Sequence, residues 1–290
     1  MTGDRTFTQL TTCLWVTQSD LYQTNSGIFL SAGAAVLIDP GILPAASQAI
    51  AQFVHEQGAE VTTIILTHGH WDHILGPEQF PSVQVVAHTS YQEVIRDHRE
   101  DLQRQVAGWE TERRYQRVTP FEPPLPDKVF GENLAWPVGT LTLQLQHSPG
   151  HAPDQITVYH APQGTLWAGD MLSELEIPFV SYNLAAYEAT LAQLAQLEIR
   201  TLVPGHGTPT QDPAEISTRL REDRAYLAEL RTRVTAALQA GASLNETVAA
   251  CSAMRYHHPK DNTLPHRWNV ESVYAELGGK CTSPHGWEQE

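Results

Sequence analysis

The chain has 290 residues, of which 41% are hydrophobic, enough for a substantial core in one large domain or two small ones. Its 18 basic residues against 33 acidic ones leave a formal net charge of -15, which opposes non-specific attraction to nucleic-acid phosphates or anionic lipid. The longest apolar run, near residues 28–38, is broken by Ser31 and Gly33 and falls short of the ~20 residues a membrane span needs.

The first residues, Met-Thr-Gly-Asp-Arg-Thr, show no basic segment followed by an apolar one, so a cytoplasmic location is expected. Cys13, Cys251 and Cys281 are odd in number and far apart. That pattern gives neither a disulfide framework nor a paired-thiolate zinc site.

In chain order, residues 7–16 read as a strand, and residues 25–30 with 34–38 as a hairpin turning near Gly33. Asp39-Pro40-Gly41 stops it. Residues 44–57 have helical period, with Pro44 suited to the first turn and Gly58 to the end. The apolar run 61–66 is the next strand and 83–87 another. Residues 89–126 then read as a polar, charged insertion closed by a proline-rich loop at 120–126.

Runs 141–145, 156–159 and 165–168 form a second β series. Leu184, Tyr187, Leu191, Leu194 and Leu197 sit at helical spacing, and a short strand is expected near Leu202. From Asp212-Pro213 onward the pattern turns helical: Ile216, Leu220, Leu227, Leu230, Val234 and Leu238 share one face, and Ser243-Leu-Asn-Glu246 has the form of a capping box. We therefore divide the chain into a main unit, 1–211, and a helical extension, 212–290, packed on the same domain. Residues 256–268 look too aromatic and irregular for a plain helix.

The chemistry concentrates in Thr67-His68-Gly69-His70-Trp71-Asp72-His73, directly after a predicted strand. A loop leaving a rigid strand is where site residues usually sit. Three imidazoles and a carboxylate are costly to bury unless they share a partner, and this donor set suits zinc or a similar divalent ion. Later come Ser148-Pro-Gly-His151-Ala-Pro-Asp154, Leu166-Trp-Ala-Gly-Asp170 and Val203-Pro-Gly-His206-Gly207. Together with His-x-His-x-Asp-His, these segments resemble the metallo-β-lactamase superfamily of binuclear metal hydrolases, in the right order.

The resemblance implies an α/β fold, a four-layer αββα sandwich. It also implies a residue-by-residue ligand set: His68, His70 and His151 on one metal, Asp72, His73 and His206 on the other, and Asp170 bridging both. On that reading the cofactors are two divalent ions, zinc first, with iron or manganese as alternatives, and Asp72 and Asp170 are the catalytic carboxylates. A shared hydroxide would attack a small ester, thioester or lactone.

Other members of the superfamily supply the alternatives. The flavodiiron oxygen reductases carry His-x-Glu-x-Asp-His, whereas position 70 here is histidine. Homoserine lactonases have a tyrosine where this chain has Ser173. Glyoxalase II-type thioesterases bind glutathione through basic residues of a helical region; Arg255, Lys260, Arg267 and Lys280 form no pattern that aligns with it. A phosphodiesterase or ribonuclease, a persulfide dioxygenase-like enzyme with one iron, and a metal-binding scaffold without turnover stay open. The substrate is expected to be a small molecule, with no membrane and no nucleic-acid partner, and a homodimer is allowed. The substrate rim is placed at residues 109–126 and 256–268, with His258, Arg267 and Trp268 as candidate contacts. His147, four before His151, is a candidate support for that ligand.

Overall fold

The computed structural model describes residues 6–113, 115 and 120–280, so Cys281 and His285 lie outside the described residues. Two sheets form the middle of the molecule. The first holds β1 (Thr8–Gln9), β2 (Leu14–Gln18), β3 (Asn25–Ser31), β4 (Ala34–Ile38), β5 (Glu60–Ile65), β6 (Gln84–His88) and β7 (Lys128–Phe130), laid side by side in chain order. β1 to β4 pair antiparallel, and β4 to β7 pair parallel. The second sheet holds β8 (Asn133–Val138), β9 (Leu141–His147), β10 (Ile156–His160), β11 (Thr165–Trp167) and β12 (Thr201–Val203), antiparallel except for the final β11–β12 pair.

Strand alternation builds the layers. Side chains of successive residues leave a strand on opposite faces, so a strand buried on both sides reads as an unbroken apolar run. In β4, Val36 and Ile38 face the second sheet while Ala35 and Leu37 face outward. In β11, Trp167 enters the core between the sheets and Leu166 faces outward. The outer face of the first sheet packs with α1 (Pro44–Glu56) and α2 (Tyr91–Arg113). The outer face of the second packs with α3 (Leu184–Leu194), α4 (Pro213–Gln239), α5 (Leu244–Cys251) and α6 (Pro259–Glu276). The result is the four-layer αββα sandwich, with the C-terminal helices stacked on its second outer face.

Local chemistry fixes the helix starts. Asn183 accepts from the Ala186 N–H, Asp212 accepts from the Ala214 N–H, and Ser243 with Glu246 forms the complete capping box read from the sequence. No helix among the described residues is long and apolar enough to cross a membrane. Cys13 and Cys251 are buried.

Three segments differ from the sequence reading. Residues 91–113, read only as part of a polar, charged insertion, are a helix of 23 residues. Its buried positions, Tyr91, Val94, Ile95, Leu102, Val106 and Trp109, lie on one stripe among many charges. Residues 259–276 are also a helix, entered through a left-handed His258 (φ 44°) and continued past Pro265. That proline has no N–H to give the turn before it, a tolerable loss six residues into an 18-residue helix packed on α4 and α5. Leu197 lies beyond the end of α3, in the turn that leads to β12, yet packs against the same core.

Asp223, on the inner side of α4, is buried, and burial pushes its carboxyl up to about 8 although it accepts from the Leu172 N–H at 3.2 Å. The group is therefore protonated in the folded chain up to about pH 8 and ionises near 3.8 when unfolded. Its favourable contribution is complete below the unfolded value and is lost as pH rises toward the folded one. Asp223→Asn keeps the acceptor and removes the titration. It is expected to melt several degrees above the wild type at pH 8, with the gap closing toward pH 4 in thermal denaturation followed by circular dichroism.

Candidate metal centre

Every candidate ligand sits where a strand of the inner layers ends. β5 runs out into Thr67 and His68, and the following turn, a 3-10 helix at Trp71–His73, carries Asp72 and His73. The β9–β10 loop brings His151, the end of β11 brings Asp170, and the end of β12 brings His206. With His70 between His68 and Asp72, these seven ligands come from four separate segments of the chain and meet at one edge of the sandwich in two groups. His68, His70, His151 and Asp170 can hold one ion; Asp72, His73 and His206 can hold another.

The Asp170 carboxylate lies between the groups. Its Oδ2 is 3.5 Å from His68 Nε2, 3.5 Å from His151 Nε2 and 3.4 Å from His206 Nε2, and its Oδ1 is 3.2 Å from His73 Nε2. Asp72 Oδ2 is 3.2 Å from His206 Nε2 and 3.6 Å from His73 Nε2. Glycine at 205 makes this approach possible, because a Cβ there would stand 2.0 Å from Asp170 Oδ1. Gly69 serves space rather than backbone freedom: a Cβ would meet Val94 Cγ1 at 2.9 Å.

The outward ring nitrogens of four of the five histidines are tied to an acceptor. His151 Nδ1 faces the Phe179 carbonyl at 3.1 Å, His206 Nδ1 the Tyr22 carbonyl at 2.9 Å, and His73 Nδ1 the Asp39 carboxylate at 3.0 Å. A carbonyl or carboxylate oxygen only accepts, so the outward nitrogen carries the proton, and in a neutral ring the inward one is a bare lone pair. His68 follows suit: Thr67 Oγ1 donates to Asp39 Oδ2 at 2.6 Å and so accepts from His68 Nδ1 at 3.0 Å.

The inward nitrogens then crowd one another. His73 Nε2 is 3.3 Å from His206 Nε2, and His70 Nδ1 is 3.0 Å from His151 Nε2. His68 Nε2 and Asp170 Oδ1 are buried with no hydrogen-bond partner. Lone pairs turned toward each other in a buried site need a cation among them, and imidazoles with two carboxylates are a donor set for borderline divalent ions. The residues fit the implied metals.

Protons answer part of the same need in the metal-free chain. Burial opposes charge on His73, but the Asp170 and Asp72 carboxylates outweigh it and hold its pKa well above the imidazole range. His206 is raised likewise, against burial, by Glu176 and Asp170. Burial and the neighbouring His73 hold His68 well below that range. Asp72 and Asp170 are depressed by the same imidazoles in spite of their burial. Behind the centre, burial pushes the Asp154 carboxyl up to about 7 beside Gly69 and His70.

Two further residues support the centre: Asp39, which no motif marks, and His147, expected from the sequence to support His151. Asp39, which reads as part of a strand stop, takes a left-handed backbone (φ 44°) and accepts from the Thr67 N–H, the Thr67 hydroxyl and His73, clamping both ends of the histidine turn. His147 donates from Nε2 to the Pro153 carbonyl at 2.9 Å and stacks on His88 at 3.7 Å, bracing the loop that carries His151.

A cavity of about 200 Å³ opens over the centre, lined by Asp72, His151, Asp170 and His206 below and by Tyr22, Trp71, Glu176, Ile177, Phe179, Asn262, Pro265 and Trp268 around them. Trp268 is thus a lining residue. His258 instead lines an adjoining outer depression, and Arg267 does not line the cavity but turns to Glu271 Oε1 at 2.8 Å. No described residue of 109–126 lines the cavity; Trp109 stands behind it, 5.5 Å from the Trp71 ring. Tyr22, Glu176 and Phe179 carry no periodicity or motif that marks them in the sequence.

The family profile described as the metallo-beta-lactamase superfamily matches residues 19–206. Among curated proteins, the chain is 26% identical over 206 residues to the probable metallo-hydrolase YqjP of Bacillus subtilis, covering 60% of this chain and 63% of that one. It is 24% identical over 199 residues to the beta-lactamase-like protein 2 homolog of Drosophila melanogaster, covering 67% and 61%. The chain thus spans less than two thirds of the length of these relatives. Among solved structures, a metallo-beta-lactamase family protein of Thermus thermophilus aligns with a TM-score of 0.69 at 23% identity, covering 95% of this chain and 98% of that one. The sec-alkylsulfatase Pisa1 of Pseudomonas sp. aligns at 0.71 and 18% identity, covering 96% and 51%. At those identities the structural matches speak for the fold.

Proposed function

The chain belongs to the metallo-beta-lactamase superfamily, and from that premise we propose that it is a two-metal hydrolase, with zinc as the metal, acting on a small ester, thioester or lactone. The observation that carries the reading is the pair of ligand groups with inward-turned lone pairs, joined by the one carboxylate of Asp170. His68, His70 and His151 would hold one ion, Asp72, His73 and His206 the other, and Asp170 both. Ions held there supply Lewis-acid polarisation of the bond under attack and activation of water near neutral pH.

The remaining residues support that chemistry. Asp39, Thr67 and the carbonyls of Tyr22 and Phe179 fix which ring nitrogen faces inward. Trp71, Ile177 and Phe179 give the cavity an apolar wall, and its small volume suits a small acyl substrate rather than a polymer.

The test is a panel of ester, thioester, lactone and phosphodiester substrates on protein loaded separately with zinc, manganese and iron(II), with metal content measured on the same samples. Two equivalents of metal per chain and turnover of at least one carboxylic ester, thioester or lactone are expected. Turnover confined to the phosphodiester would move the assignment to that class. A single bound iron with oxygen consumption on a persulfide would move it to a dioxygenase.

A further inference from the structure

The cavity contains more than metal chemistry requires. Two edge-to-face aromatic pairs line it: Tyr22 with Trp71, ring centroids 5.7 Å apart, and Phe179 with Trp268, 6.0 Å apart. None of the four belongs to a ligand group. Aromatic faces carry the negative end of the ring quadrupole and attract a cation set over them.

The charges of the lining point the same way. Outside the ligand set, the carboxylate of this cavity is Glu176, an exposed side chain on its rim. Glu176 also lines the outer depression, where Asp20 and Asp261 join it. Among the described residues that line either cavity there is no lysine or arginine, and His258 in the outer depression is the one basic side chain outside the ligand set. Away from the metal ligands, a carboxylate, phosphate or sulfate of a substrate would meet carboxylates and find no guanidinium or ammonium among these lining residues to pair with.

We propose that the aromatic walls and Glu176 form a subsite for an ammonium group, and that the substrate is an ester, thioester or lactone carrying such a cation away from the scissile bond. The second half rests on the hydrolase reading; the subsite does not.

The two halves are tested separately on the full, zinc-loaded chain. Isothermal titration with choline and with its neutral isostere 3,3-dimethylbutan-1-ol should show choline bound about ten-fold or more tightly. Glu176→Gln should narrow the preference several-fold without loss of metal. Trp268→Phe should keep most of the preference and Trp268→Leu should narrow it several-fold. Undetectable choline binding, equal affinities in the wild type, a preference unchanged in Glu176→Gln, or loss of metal from that variant would each overturn the proposal. Hydrolysis of acetylthiocholine against 3,3-dimethylbutyl thioacetate reads the other half. Choline preference with acetylthiocholine hydrolysed no faster than its isostere leaves the subsite standing and overturns the cationic-substrate half; hydrolysis of either thioester without choline preference removes the subsite and leaves the hydrolase reading standing.

Discussion

Asp170→Ala is expected to lower kcat/KM by about 10³ or more and to take at least one equivalent of metal out of the protein. Losing an outer partner of a metal ligand costs roughly 10–100-fold. Asp170 is placed more centrally than any outer partner, with its two oxygens 3.2–3.5 Å from inward nitrogens of both ligand groups. Its removal should also take away one of the carboxylates that balance His73 and His206. The residue stands just past the end of β11, so the sheet should survive and circular dichroism should change little. Elemental analysis and steady-state kinetics on the same preparation check the prediction. Unchanged turnover with two equivalents of metal retained would sink the shared-ligand assignment. Gly205→Ala offers a second route to the same residue, since its Cβ would enter the space of Asp170 Oδ1; it should reproduce the loss in weaker form.

The ligand segments were legible because each is short, local and placed directly after an apolar run: a strand period tells where the chain straightens, and the residue after it is where a side chain can leave the layer. The strands that carry the inter-sheet core, 34–38 and 165–167, were legible for the same reason, whereas which of their side chains face between the sheets was not. α2 was not, although Tyr91, Val94, Ile95, Leu102, Val106 and Trp109 do fall on one stripe. Charged residues between them gave the segment the look of an exposed insertion, and the helix is decided by what the stripe packs on, the outer face of the first sheet.

Residues 256–268 misled for a different reason. Pro259 starts a helix and Pro265 sits inside it, and a proline pair with three histidines reads as a break unless tertiary packing is known to override it. The cavity wall was least legible of all. Trp268 stood in a segment already singled out, but Tyr22, Glu176 and Phe179 come from loops whose positions are set by long-range contacts, such as the bond between His206 and the Tyr22 carbonyl.

Trp167 and Gly27 should prove energetically coupled across the two sheets. Trp167 is fully buried in the core between them, and Gly27 in β3 gives its ring room: a Cβ at position 27 would lie 2.6 Å from Trp167 Cζ3. Trp167→Ala should cost about 3–5 kcal/mol, the usual range for removing a large buried aromatic. Gly27→Ala alone should cost about 1–3 kcal/mol, because overpacking forces the ring or the strand to shift. In the double variant the added methyl enters the space the ring has left, so the clash disappears and part of the cavity is filled. The combined loss should fall below the sum of the single losses by at least about 1 kcal/mol, whereas distant sites would add to within roughly 0.5 kcal/mol. Urea denaturation of the four proteins measures the difference. Simple additivity would mean that the glycine is not what makes room for the indole, and that the close packing of the two sheets rests on other residues.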